Sequence, residues 1–187
     1  MIKYNVALRE NPKVFDKFGS AWGDIPTIIM DIILRFDIKR DIAIEFGVEF
    51  GYSTSALANY FDYVIGVDTF TGDKNSGFKE DHFIDRKNDL CVEFSNIKLI
   101  QSDYKDFIAP LTEDRYDLIH IDIVHSYTDT FNCGAWAVNH SDCVLFHDTI
   151  IPEVRLACYD LASEYGFNFF NYGYSNGLAI LIKPKAF

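Results

Sequence analysis

The feature that most restricts what this chain can become is an alternation. Short apolar runs rich in β-branched residues recur at 42–46 (IAIEF), 63–67 (YVIGV), 97–101 (IKLIQ), 116–121 (YDLIHI) and 143–147 (CVLFH). Helix-length amphipathic segments near 24–36, 53–61, 79–91, 128–138 and 152–165 lie before, between and after them. The link between the third and fourth runs is short, and a helix there is left open. Strands joined by such crossovers pair in parallel and carry helices on both faces. Two further runs, 167–172 (FNFFNY) and 178–182 (LAILI), follow one another through Tyr-Ser-Asn-Gly at 174–177, a tight hairpin turn. The expectation is a doubly wound α/β fold with a seven-stranded, mostly parallel sheet and a C-terminal antiparallel hairpin. In such sheets ligands sit beyond the carboxyl ends of the strands, around the point where the strand order reverses.

A chain of 187 residues has room for one domain with a sizeable core. It is divided here into an N-terminal helical cap over 1–38 and a cofactor-binding core over 39–187. The formal charge of −11 repels phosphate backbones, so nucleic acid is not an expected partner. Cys91, Cys133, Cys143 and Cys158 are scattered without a C-x-x-C pair and read as reduced core thiols. The start lacks the apolar stretch of a secretory signal, and apolar runs break at charges too soon to span a membrane. A soluble, cytoplasmic protein is expected.

Each strand end carries residues suited to chemistry. After the first run, Glu45-Phe46-Gly47-Val48-Glu49-Phe50-Gly51-Tyr52-Ser53 opens a helix. Its glycines permit a tight turn and close approach of a ligand to the backbone. The helix start at Ser53 offers unpaired N–H groups for a carboxylate or phosphate, or Ser53 is simply an N-cap. Counting from Gly47 places Glu49 and Tyr52 where a dinucleotide fingerprint needs glycine, which argues against NAD. Asp68, ending the second run, is placed to accept ribose hydroxyls, or begins an ordinary turn. Asp103, after Ser102, faces an adenine or caps a helix, and Phe70 is the aromatic nearest the base. At the fourth and fifth strand ends lie Asp122 with His125, and His147 with Asp148. Two carboxylates on one rim repel unless a cation or proton lies between them, which suits a divalent ion. His125 is a candidate general base.

With these residues in place, the sequence resembles the class I S-adenosylmethionine-dependent methyltransferases, which have a Rossmann-like fold. It looks most like the small-molecule branch that includes catechol-type and macrolide-sugar O-methyltransferases. Four stretches carry the resemblance: Glu45-x-Gly47-x-x-x-Gly51-Tyr52-Ser53; Asp68-Thr69-Phe70-Thr71-Gly72-Asp73, continuing to Gly77-Phe78; Asp122-x-x-His125-x-Tyr127; and His147-Asp148-Thr149, followed by Pro152-Glu153-Val154-Arg155. The resemblance implies that Glu45 and Gly47 line the methionine end of the cofactor, with Gly51 in the same loop and Ser53 near its carboxylate. Asp68 would hold the ribose, and Ser102 and Asp103 would face the adenine. Asp122 and Asp148 match ligands of magnesium or another divalent cation in metal-dependent relatives, with His147 as the third ligand here. His125 matches the base of the sugar-methylating group. Two departures stand out: relatives often have an acidic residue at position 147, and catechol-type enzymes have Asn at position 149.

The expected activity is therefore O-methylation of a small hydroxylated metabolite, such as a sugar or glycosylated compound, with a homodimer as one way to complete the pocket. Acceptor specificity is expected in residues 1–23, which include Trp22, and in the loops after the fourth and fifth strands. Two other classes compete: a non-catalytic S-adenosylmethionine-binding module and an NAD-dependent oxidoreductase.

Overall fold

The computed structural model describes residues 2–4, 12–17, 20, 22–72, 80–110 and 112–185. Its elements run β1 (Ile2–Lys3), α1 (Ile25–Phe36), β2 (Ile42–Phe46), α2 (Tyr52–Ala58), β3 (Tyr63–Asp68), α3 (Phe83–Glu93) and β4 (Ile97–Gln101). They continue with α4 (Tyr104–Ile108), β5 (Leu118–Ile121), α5 (Tyr127–His140), β6 (Cys143–His147), α6 (Pro152–Tyr165), β7 (Asn168–Tyr172) and β8 (Leu178–Ile182).

One sheet holds all the strands in the order β1-β7-β8-β6-β5-β2-β3-β4. Only β8 runs against its neighbours β6 and β7; the other pairings are parallel. The seven expected strands and the hairpin are present. A two-residue strand, β1, lies parallel to β7 at the sheet edge and extends the sheet by one. Its two residues are too few to register as a periodic pattern in sequence. The chain winds from β2 outward through β3 and β4, then returns to pair β5 with the other side of β2. The strand order therefore reverses between β2 and β5.

Neighbouring residues along each central strand face opposite sides, so both faces must be covered. Ala43, Leu118, Leu145 and Ile180 join one apolar layer with α1 and α2. Ile44, Ile119, Val144 and Leu181 join the other with α5 and α6. Helix α1 buries Ile25, Ile28, Ile29, Ile32 and Ile33, a stripe at helical spacing. Pro26 lies in its first turn, where a missing N–H costs nothing, and left-handed Asp37 (φ 53°) ends it. Helix α4 occupies the link left open in the sequence; the Asp103 side chain caps it by accepting from Lys105 N–H at 2.8 Å. Helix α3 begins at Phe83, later than expected, because His82 has a non-helical backbone (φ −122°, ψ 15°) and the Phe83 N–H donates to Asp81 Oδ1 at 3.0 Å. No helix among the described residues is long and apolar enough to cross a membrane.

Helices α5 and α6 pack closely where Gly134 replaces a side chain. A Cβ there would lie 2.3 Å from Leu161 Cδ1 and 3.0 Å from the Phe146 ring. Gly134→Ala is expected to destabilise the fold by roughly 1–3 kcal/mol through overpacking. A lower urea midpoint at constant m would be the signature; an unchanged midpoint would contradict this packing.

Candidate functional site

The register of the sheet brings the strand ends level. Phe46 pairs with Val67 on one side and with Ile121 on the other, and Ile121 pairs with Phe146. The next residues along, Gly47, Asp68, Asp122 and His147, therefore stand on one line across four strands. Gly47 is required at its place in that line. It has φ +90°, and a Cβ would lie 1.7 Å from the Asp122 carbonyl oxygen. Above this line opens a cleft of about 590 Å³, lined by the 47–50 loop, Ser53, Asp68, Ser102, Asp103, Asp122, His125, His147 and Asp148. That volume lies within the range of small-molecule sites.

On one side of the cleft Asp68 organises the loops. Its Oδ2 accepts from the N–H groups of Val48 (2.7 Å) and Glu49 (2.8 Å), and its Oδ1 from Phe70 N–H (2.7 Å). Glu49 is exposed, lines the cleft and has left-handed φ (46°). Asp103 lines the cleft too, with its side chain engaged as the cap of α4.

Three expected ligand contacts are placed elsewhere. Glu45 is fully buried beneath the loop, where its Oε1 meets His120 Nδ1 at 2.7 Å and its other oxygen accepts from Thr54 Oγ1. It points to the α1–α2 face of the sheet, and this tie between β2, β5 and α2 takes up its carboxylate. Phe70 is fully buried and packs against His82 and Phe83. Gly51 is buried at the start of α2 with φ +87°, against Leu90. None of these three lines the cleft. Asp73, Gly77 and Phe78, which carried part of the resemblance, lie outside the described residues.

On the other side, two carboxylates and two imidazoles meet. His125 Nε2 lies 2.8 Å from Asp148 Oδ2 and 3.7 Å from Asp122 Oδ1. His147 Nδ1 lies 3.2 Å from Asp122 Oδ2 and 3.4 Å from Asp148 Oδ2, while its Nε2 faces the Ser175 carbonyl at 3.1 Å. Bonds to Asp122 and Asp148 push His125 up to about 9 against the opposing effect of burial. Burial alone would lower His147, yet the same carboxylates raise it to about 10. Burial would raise both carboxyls; His125 and His147 overcome it, holding Asp122 well below the usual carboxylate range and Asp148 down to about 2. The mutual repulsion expected of the two carboxylates is relieved by imidazolium protons. Among the described residues, the side chains able to share one metal ion are Asp122, His125 and Asp148, whose ligand atoms lie within 4.8 Å of one another. His147, the expected third ligand, is not in that set.

Trp22, from the N-terminal segment, covers this cluster. Its indole stacks on the His147 ring with centroids 3.9 Å apart, and it is 4% exposed. The segment is anchored on both sides: Tyr52 Oη donates to the Gly23 carbonyl, and Asp24 accepts from Ser175 Oγ (2.7 Å) and Tyr172 Oη. Tyr104, Lys105 and Asp129 form a second polar group lining the cleft. Tyr104 Oη donates to Asp129 Oδ1 at 2.6 Å, and Lys105 Nζ lies 2.9 Å from the same oxygen. Lys105, Ser126 and Tyr104 together hold the Asp129 carboxyl down to about 2. The only sequence signal for this group is Ser126-x-x-Asp129 at the start of a helix, which reads as a capping pattern.

Comparison with known proteins adds a family. A family model described as a methyltransferase domain matches residues 44–149. No curated protein matches the chain. Among solved structures, the chain is similar to a candidate caffeoyl-CoA O-methyltransferase from Staphylococcus aureus (TM-score 0.64, 15% identity, 85% of this chain and 82% of that one). It is also similar to a candidate methyltransferase from Streptococcus mutans in complex with SAH (TM-score 0.62, 13%, 84% and 97%). A third likeness is to the N-methyltransferase NodS from Bradyrhizobium japonicum (TM-score 0.58, 13%, 86% and 94%). At such identities the likeness is one of fold.

The charge cluster makes a pH prediction. Both imidazoles titrate above the ordinary 6.5, so their contribution to stability is complete below about pH 6.5. It is lost as pH rises through about 9 for His125 and about 10 for His147. The melting temperature, measured with a chelator present, should fall across that window, and Asp148→Asn should flatten the fall. Equal slopes in both proteins would disconnect the cluster from stability.

Proposed function

The chain belongs to the methyltransferase-domain family, and from that premise we propose that it uses S-adenosylmethionine to methylate a hydroxyl group of a small molecule. The observation that carries this reading is a juxtaposition. A strip of backbone and acidic groups suited to a nucleoside (Gly47–Glu49, Asp68, Ser102) and an imidazole suited to proton transfer (His125) line the same cleft. The cleft's size and polarity fit the cofactor, and the glycine at position 47 allows the loop to lie close to the Asp122 backbone.

S-adenosylmethionine, when bound, supplies a methyl group made electrophilic by sulfonium. The residues of this chain do the rest. Holding the acceptor oxygen at near-attack distance supplies most of the acceleration. The neutral His125 imidazole takes the hydroxyl proton, and Asp148 and Asp122, which face its Nε2, stabilise the imidazolium that results. A base near 9 is closer to an alcohol than free imidazole is, at the cost that only about one molecule in a hundred is neutral at pH 7. A small hydroxylated sugar or glycoside is the favoured acceptor, on the resemblance of the segment from Asp68 to Gly72. The acidic surface speaks against nucleic acid.

A second arrangement is supported by the grouping of Asp122, His125 and Asp148. A divalent cation held there would polarise the acceptor oxygen. The two arrangements exclude one another, because a cation among these three groups would take the place of the proton that His125 Nε2 shares with Asp148 and Asp122. An imidazole among the ligands also departs from the all-oxygen shell that magnesium prefers and suits a transition metal better.

S-adenosylhomocysteine is expected to raise the melting temperature where NAD does not, since only a ligand of the folded state stabilises it. A shift with NAD alone would return the oxidoreductase reading. Binding without turnover over a broad acceptor panel would leave a non-catalytic module. His125→Ala should slow transfer by about 10²–10⁴-fold while cofactor affinity stays near wild type. In the metal-free arrangement kcat/KM climbs with pH toward about 9 and ignores chelators; turnover abolished by a chelator would favour the cation instead.

A further inference from the structure

We propose that Asn176, at the tip of the hairpin turn between β7 and β8, binds the acceptor. Its side-chain amide pairs with a hydroxyl beside the one methylated, in a neutral sugar diol rather than an anionic acceptor. This rests on the reading of the cleft as a methyl-transfer site with His125 as base. Ser175 (φ 51°) and Asn176 (φ 64°) are both left-handed, and Gly177 N–H closes the turn on the Tyr174 carbonyl at 2.9 Å. Glycine is the usual second central residue of such a turn. Asn accepts the conformation better than most residues, yet less freely than glycine. The fold accounts for the side chain at 175, whose hydroxyl holds Asp24 at 2.7 Å. It gives no such account of Asn176, which is exposed, lines the cleft and makes no side-chain hydrogen bond among the described residues.

The backbone of the turn is fixed against the rim of the site. The Asn176 carbonyl accepts from Ile150 N–H at 2.8 Å, and the Gly177 carbonyl from Thr149 N–H at 3.3 Å. A Cβ on Gly177 would lie 2.4 Å from Thr149 Oγ1, so the turn rests directly on this loop. Asn176 is thereby tied to the loop that carries Asp148, whose Oδ2 lies 2.8 Å from His125 Nε2. An amide sets two N–H donors beside a carbonyl acceptor, which suits hydroxyls that both donate and accept. Charge then selects among hydroxyl compounds. Among the described residues lining the cleft the only Lys or Arg is Lys105, and Asp129 lies 2.9 Å from its ammonium. The imidazolium charges of His125 and His147 are matched by Asp148 and Asp122. A carboxylate or phosphate on the acceptor would meet no unmatched cationic side chain there, and several carboxylates, Asp68 and Asp103 included.

Methyl transfer to a set of neutral methyl hexosides, to the matching uronates and to the matching hexoside phosphates tests the assignment, beside calorimetric titration with S-adenosylhomocysteine. Wild type should methylate a neutral hexoside and discriminate against both charged forms. Removing the hydroxyl next to the methylated position should lower its kcat/KM by roughly three- to tenfold. Asn176→Ala and Asn176→Gly should show that same loss on the intact hexoside and no further loss on the deoxy compound. Affinity for S-adenosylhomocysteine should stay near wild type in both. Asn176→Gly, which suits the left-handed backbone, should keep or raise the melting temperature. A deoxy penalty that survives in the variants would assign that hydroxyl to another residue and overturn the proposal. So would an unchanged kcat/KM in Asn176→Gly, a preference for the charged acceptors, or no turnover of any hexoside by a wild type that binds S-adenosylhomocysteine. Failure to bind S-adenosylhomocysteine at all would overturn the cofactor reading itself.

Discussion

Two carboxylates, Asp122 and Asp148, follow neighbouring parallel strands, and the site is arranged around neutralising them. Water cannot do this fully, because Asp148 is largely covered and Trp22 closes the adjacent wall. Imidazoles from the same two loops supply the positive charge. His125 reaches back from beyond β5 toward Asp148, and His147, the last residue of β6, reaches across to Asp122. Each histidine thus sits on the strand end opposite its closer carboxylate, so the cluster also ties β5 to β6 above their last ladder pair. The arrangement sets the chemistry: a base made strong by its neighbours, or a ready set of ligands once its proton is replaced by a cation.

Beneath this surface cluster lies a second, buried one. Glu45 and His120 stand on paired rungs of β2 and β5, and Thr54 of α2 completes the group. Both belong to the same face of the sheet as Asp122 and His147, since strand residues two apart share a face. A buried polar contact of this kind is weak evidence of net stabilisation, but removing one partner leaves the other without its hydrogen bond. Its effect is to fix the spacing of the two strands between which the winding order reverses, and hence the width of the crevice above them.

Much of this was legible in sequence, for physical reasons that also explain the rest. The central strands β2, β5, β6 and β8 declared themselves because strands buried on both faces must be apolar along nearly their whole length, and β3, β4 and β7 by their place in the alternation. The strand-end residues Asp68, Asp122, His147 and Asp148 followed from where those runs stop. Glu45 did not, because a sequence records that a carboxylate ends a strand and not which face it points to. Phe70 failed for a related reason: its left-handed backbone (φ 56°) turns the ring inward, which no neighbouring residue announces. Trp22 reaches the site from 100 residues before Asp122 through tertiary contacts alone, so no local pattern predicts it. The strength of His125 as a base was not legible, because of the two carboxylates that raise it only Asp122 is near in sequence, while Asp148 comes from the next strand end.

The hairpin turn after β7 has a role beyond closing the sheet. The Ser175 carbonyl faces the His147 ring and the Ser175 hydroxyl holds Asp24, two residues from the indole that stacks on that same ring. One peripheral serine therefore acts on the imidazole by two routes, one through the ring's own nitrogen and one through the lid of aromatic carbon above it. Substitution in this outlying turn would act on the crevice through Asp24 and the indole beyond it, while the main-chain carbonyl stays against the ring.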